Sequence, residues 1–307
     1  MSASIFIDGA VGTTGLEIAE RLAGRSEFSL ITLDEARRKD ASARREALNS
    51  ADFVILCLPD DAARDAVAMI GNDTTRVIDA SSAHRVAGGW TYGFPELVGR
   101  ETVANAMRVS NPGCYPTGFL ALVTPLVRAG LLPADWPYTV NAVSGYSGGG
   151  KSLIERFEDD PDIAYRTYGL NLAHKHVPEM TMLAGLTHPP LFAPSVVPAH
   201  RGMLVEVPLP LSVMPMAGSP ETLLLCLVDF YTGSPIVTVH DERPGELLLR
   251  RSAIGSDRLE LYVFASEDGS QARLVAMLDN LGKGASGAAV QSLNLMAGLE
   301  ETAGLRL

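Results

Sequence analysis

Short apolar runs alternate with stretches of helical periodicity along the first third of the chain. Ile5 to Ile7, Phe28 to Leu33, Phe53 to Leu58 and Arg76 to Asp79 have the length of strands, and segments such as Leu16 to Ala23 and Ala62 to Ile70 separate them. That rhythm predicts a parallel sheet with crossover helices. The run from Phe53 to Leu58 is apolar at every position, so it predicts a strand covered on both faces, stopped by Pro59-Asp60-Asp61.

After Gly113 the order changes. An apolar segment from Phe119 to Val127 precedes a strand from Tyr138 to Ser144, a glycine-rich turn and a helix from Lys151 to Glu158. Ser219-Pro220-Glu221-Thr222 reads as an N-cap followed by proline at the first helical position, opening a helix that carries Cys226 and stops near Gly233. Leu259 to Ala265 and Ala272 to Leu278 flank Glu267-Asp268-Gly269-Ser270, and Asp-Gly between two such runs predicts an antiparallel hairpin. Gly282 to Gly287 leads into a last helix, Ala288 to Leu299. The fold class expected is an α/β Rossmann-type dinucleotide-binding domain followed by an α+β domain with a mixed or antiparallel sheet.

Composition narrows the possibilities. At 307 residues and 47% hydrophobic content, two domains with sizeable cores are expected. The formal charge of -11 arises from 36 acidic against 25 basic residues, with no basic run that would track a phosphate backbone, so nucleic acid is not an expected partner. The first residues lack a basic segment followed by an apolar one, and no apolar run is long enough to cross a bilayer, which predicts a cytoplasmic location without membrane attachment. Cys57, Cys114 and Cys226 are odd in number and widely spaced, so free thiols are expected rather than a disulfide framework or zinc site.

Gly9-Ala10-Val11-Gly12-Thr13-Thr14-Gly15 falls between the first strand and first helix, where a glycine turn brings backbone N–H groups against a pyrophosphate at a helix N-terminus. The next strand is expected to end at Asp34, followed by Glu35 and the basic Arg37, Arg38 and Lys39. An acid there would bind a ribose hydroxyl and a basic cluster a 2′-phosphate; the cluster points to NADP over NAD. Cys57 and Cys226 sit in apolar settings that suit packing. Cys114 instead lies among turn-formers in Asn111-Pro112-Gly113-Cys114-Tyr115-Pro116-Thr117, with Pro116 placed to begin a helix. A helix N-terminus stabilises thiolate and offers oxyanion donors, although spacing alone leaves an inert buried thiol equally open.

His174-Lys175-His176-Val177-Pro178-Glu179 puts two imidazoles two residues apart on one side of an extended segment, ahead of a helix expected at Pro178. One can serve as acid/base and the other bind substrate; no third ligand cluster supports a metal site. His84, His188, His200 and His240 are isolated and read as surface or capping residues. Ser144-Gly145-Tyr146-Ser147-Gly148-Gly149-Gly150-Lys151 offers backbone donors, hydroxyls and a cation to an anionic group. Gly145, Gly150, Lys151 and Ser152 also match a P-loop literally, but no strand ending in aspartate of the Walker-B kind follows, and the N-terminus already supplies a nucleotide fold.

Taken together, Gly9 to Gly15, Asp79 to Arg85, Tyr92 to Glu96, Asn111 to Thr117, Ser144 to Lys151, His174 to Glu179 and Asp279 to Ala285 resemble the shorter-chain (type 2) form of the N-acetyl-gamma-glutamyl-phosphate reductase family of arginine biosynthesis, over nearly the whole chain. The resemblance implies an NADP-dependent reductive dephosphorylation through a Cys114 thioester, with His176 as acid/base and His174 and Glu179 orienting substrate or histidine; the choice between the two histidines stays open. It further implies substrate or phosphate contacts from Arg85, Ser144, Tyr146, Ser147 and Lys151, and cofactor contacts from Gly9, Gly12, Thr13, Thr14, Gly15, Arg37, Arg38, Ser81, Asn280 and Lys283. A discontinuous cofactor domain of residues 1–113 and 284–307, a catalytic and oligomerisation domain of 114–283, a small acyl-phosphate substrate and a homo-oligomer (dimer or tetramer) belong to the same expectation. Lys151 stands where arginine is common and His84 where an aromatic is common, which bears on substrate contacts. Aspartate-semialdehyde dehydrogenase and a lysine-pathway reductase for a one-carbon-longer acyl phosphate share this chemistry, and a non-catalytic nicotinamide-binding redox sensor is the rival of another class.

Overall fold

The computed structural model describes residues 2–307. The chain divides into two compact units, one of residues up to Pro112 with Ala285–Leu305, the other of Gly113–Gly284 with Arg306–Leu307. The last two residues thus group with the second unit rather than with the helix before them. Arg306 explains this, because its N–H donates to Asp257 Oδ2 (2.7 Å) and its carbonyl accepts from the Asp257 N–H (2.8 Å).

In the first unit, strands β1 (Ala3–Asp8), β2 (Phe28–Ile31), β3 (Phe53–Leu56), β4 (Arg76–Asp79), β5 (Thr91–Tyr92) and β6 (Arg108–Ser110) form one parallel sheet in the order β2-β1-β3-β4-β6-β5. Its helices are α1 (Thr13–Leu22), α2 (Ala41–Ser50), α3 (Asp60–Met69), α4 (Pro95–Val98) and α5 (Arg100–Ala104). Alternate residues of β3 explain the continuous apolar run. Phe53 and Ile55 join a core with Ile5, Ile18 and Val109, whereas Val54 and Leu56 join Phe6, Leu48, Ala63 and Val77 on the opposite face. Each buried Val, Leu, Ile or Phe among them contributes roughly 1.5–3 kcal/mol. Ala289, Val290, Leu293 and Met296 complete the first of these cores, so the helix that carries them, Gly287–Met296, belongs to this unit.

The second unit begins with a long helix, α6 (Cys114–Arg128), nearly all of whose residues are buried. It contains β7 (Thr139–Gly145), α7 (Lys151–Asp159), β8 (Arg166–Thr167), α8 (Val177–Ala184), β9 (Leu191–Val197), β10 (Met203–Leu209), α9 (Pro220–Tyr231), β11 (Val237–His240), β12 (Leu259–Ala265) and β13 (Ala272–Leu278); Gly287–Met296 is α10. The sheet is mixed, in the order β11-β12-β13-β10-β7-β9-β8, with β11 parallel to β12, β7 parallel to β9 and the other pairs antiparallel. Helix α6 lies close against it: a Cβ on Gly118 would stand 2.8 Å from Val205 Cγ2. The hairpin β12–β13 and the Ser219 cap, whose Oγ accepts from the Thr222 N–H (3.3 Å), follow their local signals.

Candidate active site

The first unit has a crevice where its strand order reverses, beyond the carboxyl ends of β1 and β3, the place where open parallel sheets bind their ligands. Gly9 leaves β1 at φ +93°, and a Cβ there would stand 2.2 Å from the carbonyl oxygen of Cys57. The Gly12 N–H closes the turn on the Gly9 carbonyl (3.0 Å), and α1 starts at Thr13 and Thr14. Gly15 lies so near that a Cβ would meet the Gly9 oxygen at 2.5 Å. Beside this turn lies a cavity of about 540 Å³, lined by Gly9, Ala10, Thr32, Arg38, Lys39 and Arg44 among others.

Sequence reasoning placed this end of the site only partly. Strand β2 stops at Ile31, and the Asp34 carboxylate accepts from the Arg37 N–H (2.8 Å), capping a 3-10 turn over Arg37–Lys39. Asp34 is therefore occupied as a cap. Arg37 reaches Glu46 (3.3 Å) and does not line the cavity, whereas Arg38, paired with Glu35 (2.7 Å), does. Arg44 was not foreseen. Its Nη2 donates to Asp8 Oδ2 at 2.7 Å, so the acid ending β1 holds a guanidinium on the cavity wall.

At the end of β4, the buried Asp79 organises the loop that follows. Its Oδ1 accepts from the Ser81 N–H (2.9 Å), and its Oδ2 accepts from Ser81 Oγ (2.7 Å) and pairs with His84 Nδ1 (2.6 Å). His84 also stacks on Trp90, with ring centroids 4.2 Å apart. The expectation of an isolated surface histidine fails here because a carboxylate five residues upstream holds the ring in. His240 likewise pairs with Glu260 (3.2 Å) and stacks on Tyr262, His200 meets Tyr146 edge-on, and His188 is exposed. Arg85 donates from Nε to the Asn111 carbonyl (3.0 Å).

In the second unit, Cys114 is the first residue of α6 and Gly113 its N-cap. Pro116 is the third helical residue rather than the first. The helix starts earlier because its cap is supplied from a distance: buried Glu179 accepts from the Gly113 N–H (2.8 Å), and the Gly113 carbonyl accepts from the Thr117 N–H (2.9 Å). Glu179 comes from the first turn of α8, whose N-cap is His176.

The two imidazoles do meet, with centroids 4.6 Å apart, but in a turn rather than an extended segment. The Val177 N–H donates to the His174 carbonyl (3.0 Å), and the His176 N–H donates to His174 Nδ1 (3.2 Å). Rings surround them. Tyr115 lies 5.9 Å from His176, and Phe192 and Tyr168 stand edge-on to His174 at 5.1 and 5.5 Å. Tyr115 donates its hydroxyl to the Ser195 carbonyl (3.0 Å). Burial pushes the Tyr168 phenol up to about 12; the Tyr115 hydroxyl and Arg166 pull it down, and Cys114 pushes it up. Burial likewise raises Tyr115 well above its ordinary value. Both phenols are neutral donors at physiological pH.

Behind the nucleophile, the turn of Asp279 and Asn280 closes the site. The N–H groups of Gly282 and Gly284 donate to the Asp279 carbonyl (3.1 and 3.0 Å), and a Cβ on Gly284 would stand 2.9 Å from Cys114 Cβ. Arg201, unforeseen, pairs with the Asp279 carboxylate (3.0 Å). Asn280 donates from Nδ2 to Ser147 Oγ (2.9 Å) and accepts from the Gly202 N–H (3.0 Å), so both ends of its amide organise this unit. Lys283 is buried.

The loop from Ser144 to Lys151 is not a phosphate cradle of the P-loop kind. Three consecutive N–H groups after Ser144 are spent on neighbouring backbone: Gly145 on Gly202 (2.8 Å), Tyr146 on Ala199 (2.9 Å) and Ser147 on His200 (3.1 Å). Ser144 donates its hydroxyl to the Gly145 carbonyl (3.0 Å), Tyr146 stacks on Phe157 (5.3 Å), and Lys151 stands exposed at the start of α7. Among the described residues, no group of three or more His, Cys, Asp or Glu side chains could hold a metal ion, and no helix is long and apolar enough to cross a membrane.

The other thiols are unlike Cys114. Burial, with Asp79 and Asp8 beside it, pushes Cys57 up to about 12, and burial and Asp229 raise Cys226. At pH 8 on the order of 10⁻⁴ of Cys57 is thiolate, so iodoacetamide should modify Cys114 in the folded chain and leave Cys57 untouched. Peptide mass spectrometry checks this; Cys57 labelled as fast as Cys114 would contradict it.

A parallel nucleotide-type sheet followed by a mixed sheet with a cysteine at a helix start defines the class of semialdehyde-dehydrogenase-like oxidoreductases. Residues 4–106 match the family described as semialdehyde dehydrogenase, NAD binding domain, and residues 114–280 match semialdehyde dehydrogenase, dimerisation domain. Aspartate semialdehyde dehydrogenase II of Vibrio cholerae, complexed with ASA, shares the fold at 17% identity and a TM-score of 0.71, covering 97% of this chain and 99% of that one. Within the class, the chain belongs to the N-acetyl-gamma-glutamyl-phosphate reductase family. Proteins of that name from Trichormus variabilis (49% identity, 98% of both chains) and Rhizobium meliloti (51%, 96% of this chain and 99% of the other) are similar along their lengths. So is N-acetyl-gamma-glutamyl-phosphate reductase 2 of Pseudomonas putida, at 52% over 96% of each. Aspartate-semialdehyde dehydrogenase is thus a fold relative, at much lower identity than the reductases.

Proposed function

We propose that this chain reduces N-acetyl-gamma-glutamyl phosphate with NADPH to N-acetylglutamate 5-semialdehyde, releasing phosphate, in arginine biosynthesis. The observation that carries the reading is Cys114 at the first position of a 15-residue helix, with Glu179 fixing its cap and the His174–His176 pair on the neighbouring helix start. The positive end of α6 favours thiolate, and the N–H groups of its first turn point out of the helix end, toward an oxyanion at the reacting carbon.

In this reading Sγ attacks the acyl carbon, the carbon–oxygen bond to phosphate breaks, and a thioester remains on Cys114. NADPH supplies the hydride to that carbon when bound. Collapse of the thiohemiacetal breaks the carbon–sulfur bond, frees the aldehyde and returns the thiolate. His176 is the acid/base. His174 is less suited because its Nδ1 already accepts the His176 N–H, which leaves its neutral ring with a donor at Nε2 and no lone pair to take a proton. His174 then sets the turn that aims His176, and the raised phenols of Tyr115 and Tyr168 line the pocket as neutral donors.

The crevice of the first unit fits NADP. Gly9 and Gly15 have no room for a Cβ against the Cys57 and Gly9 carbonyls, the tight turn and close helix–strand packing of a dinucleotide-binding strand–turn–helix, and Arg38, Lys39 and Arg44 line the adjoining cavity where a 2′-phosphate needs cations. This unit is the cofactor domain and the other the catalytic one. The match to a dimerisation domain supports a homo-oligomer, a dimer or a tetramer, and the biosynthetic role and free thiols support a cytoplasmic location.

The experiment follows NADPH formation from NADP, phosphate and N-acetylglutamate semialdehyde, with aspartate semialdehyde and the one-carbon-longer homologue as competitors. Preference for the first aldehyde is expected; turnover of aspartate semialdehyde alone would overturn the assignment. His176→Asn should lower kcat by about 10²- to 10⁴-fold and flatten its pH profile. His174→Asn should cost less and keep the profile.

A further inference from the structure

We propose that Arg166 binds the α-carboxylate of the substrate and so makes the site selective for an acyl chain that carries one. The inference rests on the substrate reading above. Arg166 opens β8, the edge strand of the mixed sheet, and Tyr168 lies two residues on, so the two side chains share a face. The Tyr168 N–H donates to the Pro194 carbonyl (3.3 Å), which continues the strand pairing and holds that face in register. The Arg166 guanidinium carbon sits 4.5 Å from the centroid of the Tyr168 ring, and that ring meets His174 edge-on at 5.5 Å. A half-buried guanidinium therefore stands one ring beyond the histidine pair. Among the described residues no acidic side chain pairs with it, although most other arginines of comparable burial here have a carboxylate or carbonyl partner.

The distance decides which anionic group it serves. Phosphate leaves from the carbon that Sγ attacks, so its binding groups must lie next to Cys114. The α-carboxylate lies four carbon–carbon bonds away, roughly 5 Å in an extended chain, and with a polar contact of about 3 Å at each end the substrate spans the path of at most roughly 10 Å from His174 across Tyr168 to Arg166. A planar guanidinium stacked on an aromatic ring keeps its edge donors available for a carboxylate.

The test compares two aldehydes in the oxidative direction, N-acetylglutamate semialdehyde and 4-acetamidobutanal, which lacks only the carboxylate. Wild-type chain should prefer the first in kcat/KM. Arg166→Met should lower that preference on the order of 10- to 100-fold through KM for the carboxylated aldehyde, leaving KM for phosphate unchanged, and Arg166→Lys should recover part of it. Because the readout is a ratio of two substrates on one preparation, loss of folded protein cancels. A preference that survives in Arg166→Met, or a fall shared equally by both aldehydes, overturns the inference alone, as does a rise in KM for phosphate with the preference intact. Wild-type chain that turns over neither aldehyde overturns the substrate reading and this inference with it.

Discussion

Replacing Cys114 by alanine is expected to lower turnover by at least about 10⁴-fold while NADP still binds. Covalent catalysis divides the reduction into two steps that both run through Sγ, so no neighbouring group can substitute for it. Cys57 cannot, because burial and two carboxylates push its thiol up to about 12. Cys226 cannot either, since burial and Asp229 raise its thiol as well. The nucleotide cavity is lined wholly by residues of the first unit and Cys114 is not one of them, so titration of NADPH fluorescence should give an affinity within about twofold of wild type. Activity above a hundredth of wild type would remove the thioester from the mechanism.

Replacing Gly9 by alanine should have the other large effect, on the cofactor side. The residue adopts φ +93°, where side chains are strained, and its Cβ would lie 2.2 Å from a carbonyl oxygen that belongs to backbone and cannot swing away. A cost of about 2–4 kcal/mol follows, with a melting transition of the first unit lower by roughly 5–10 °C and NADP affinity reduced at least about 10-fold. Gly24 makes the control. It also has positive φ (+77°) but nothing within 4 Å of a Cβ, so Gly24→Ala should cost only about 1 kcal/mol and leave NADP binding alone. Calorimetry and fluorescence titration separate the two; equal losses at both positions would mean that strain, not close approach, governs the turn.

Where local signals agreed, sequence located structure to the residue. The β12–β13 hairpin has two strand-like runs around an Asp-Gly turn, and the α9 cap has serine followed by proline. Strands β9 and β10 gave no such signal because each contains a proline, Pro194 and Pro208. Pro208 is tolerated because β7 pairs only with Met203 to Glu206, leaving the proline's side of β10 unpaired there. Long-range partners explain the remaining differences. A capping rule searches three residues ahead for a carboxylate, but α6 takes its own from Glu179 on α8. Arg44, Arg201 and Arg166 carry no spacing that marks them; each matters through a residue brought near by the fold. The motifs around Cys114 and the Gly9 turn were legible because their chemistry is local.

Gly284 sets the floor under the nucleophile with main chain alone, so close that an added Cβ would stand 2.9 Å from the Cys114 Cβ. A wall made of side chains can be recut one substitution at a time, but a wall made of backbone changes only if the chain is rerouted. Descendants of this fold that took on a different acyl group would therefore keep the sulfur's seat as it is. Their divergence would gather at the far end of the pocket, around the rings and the edge strand.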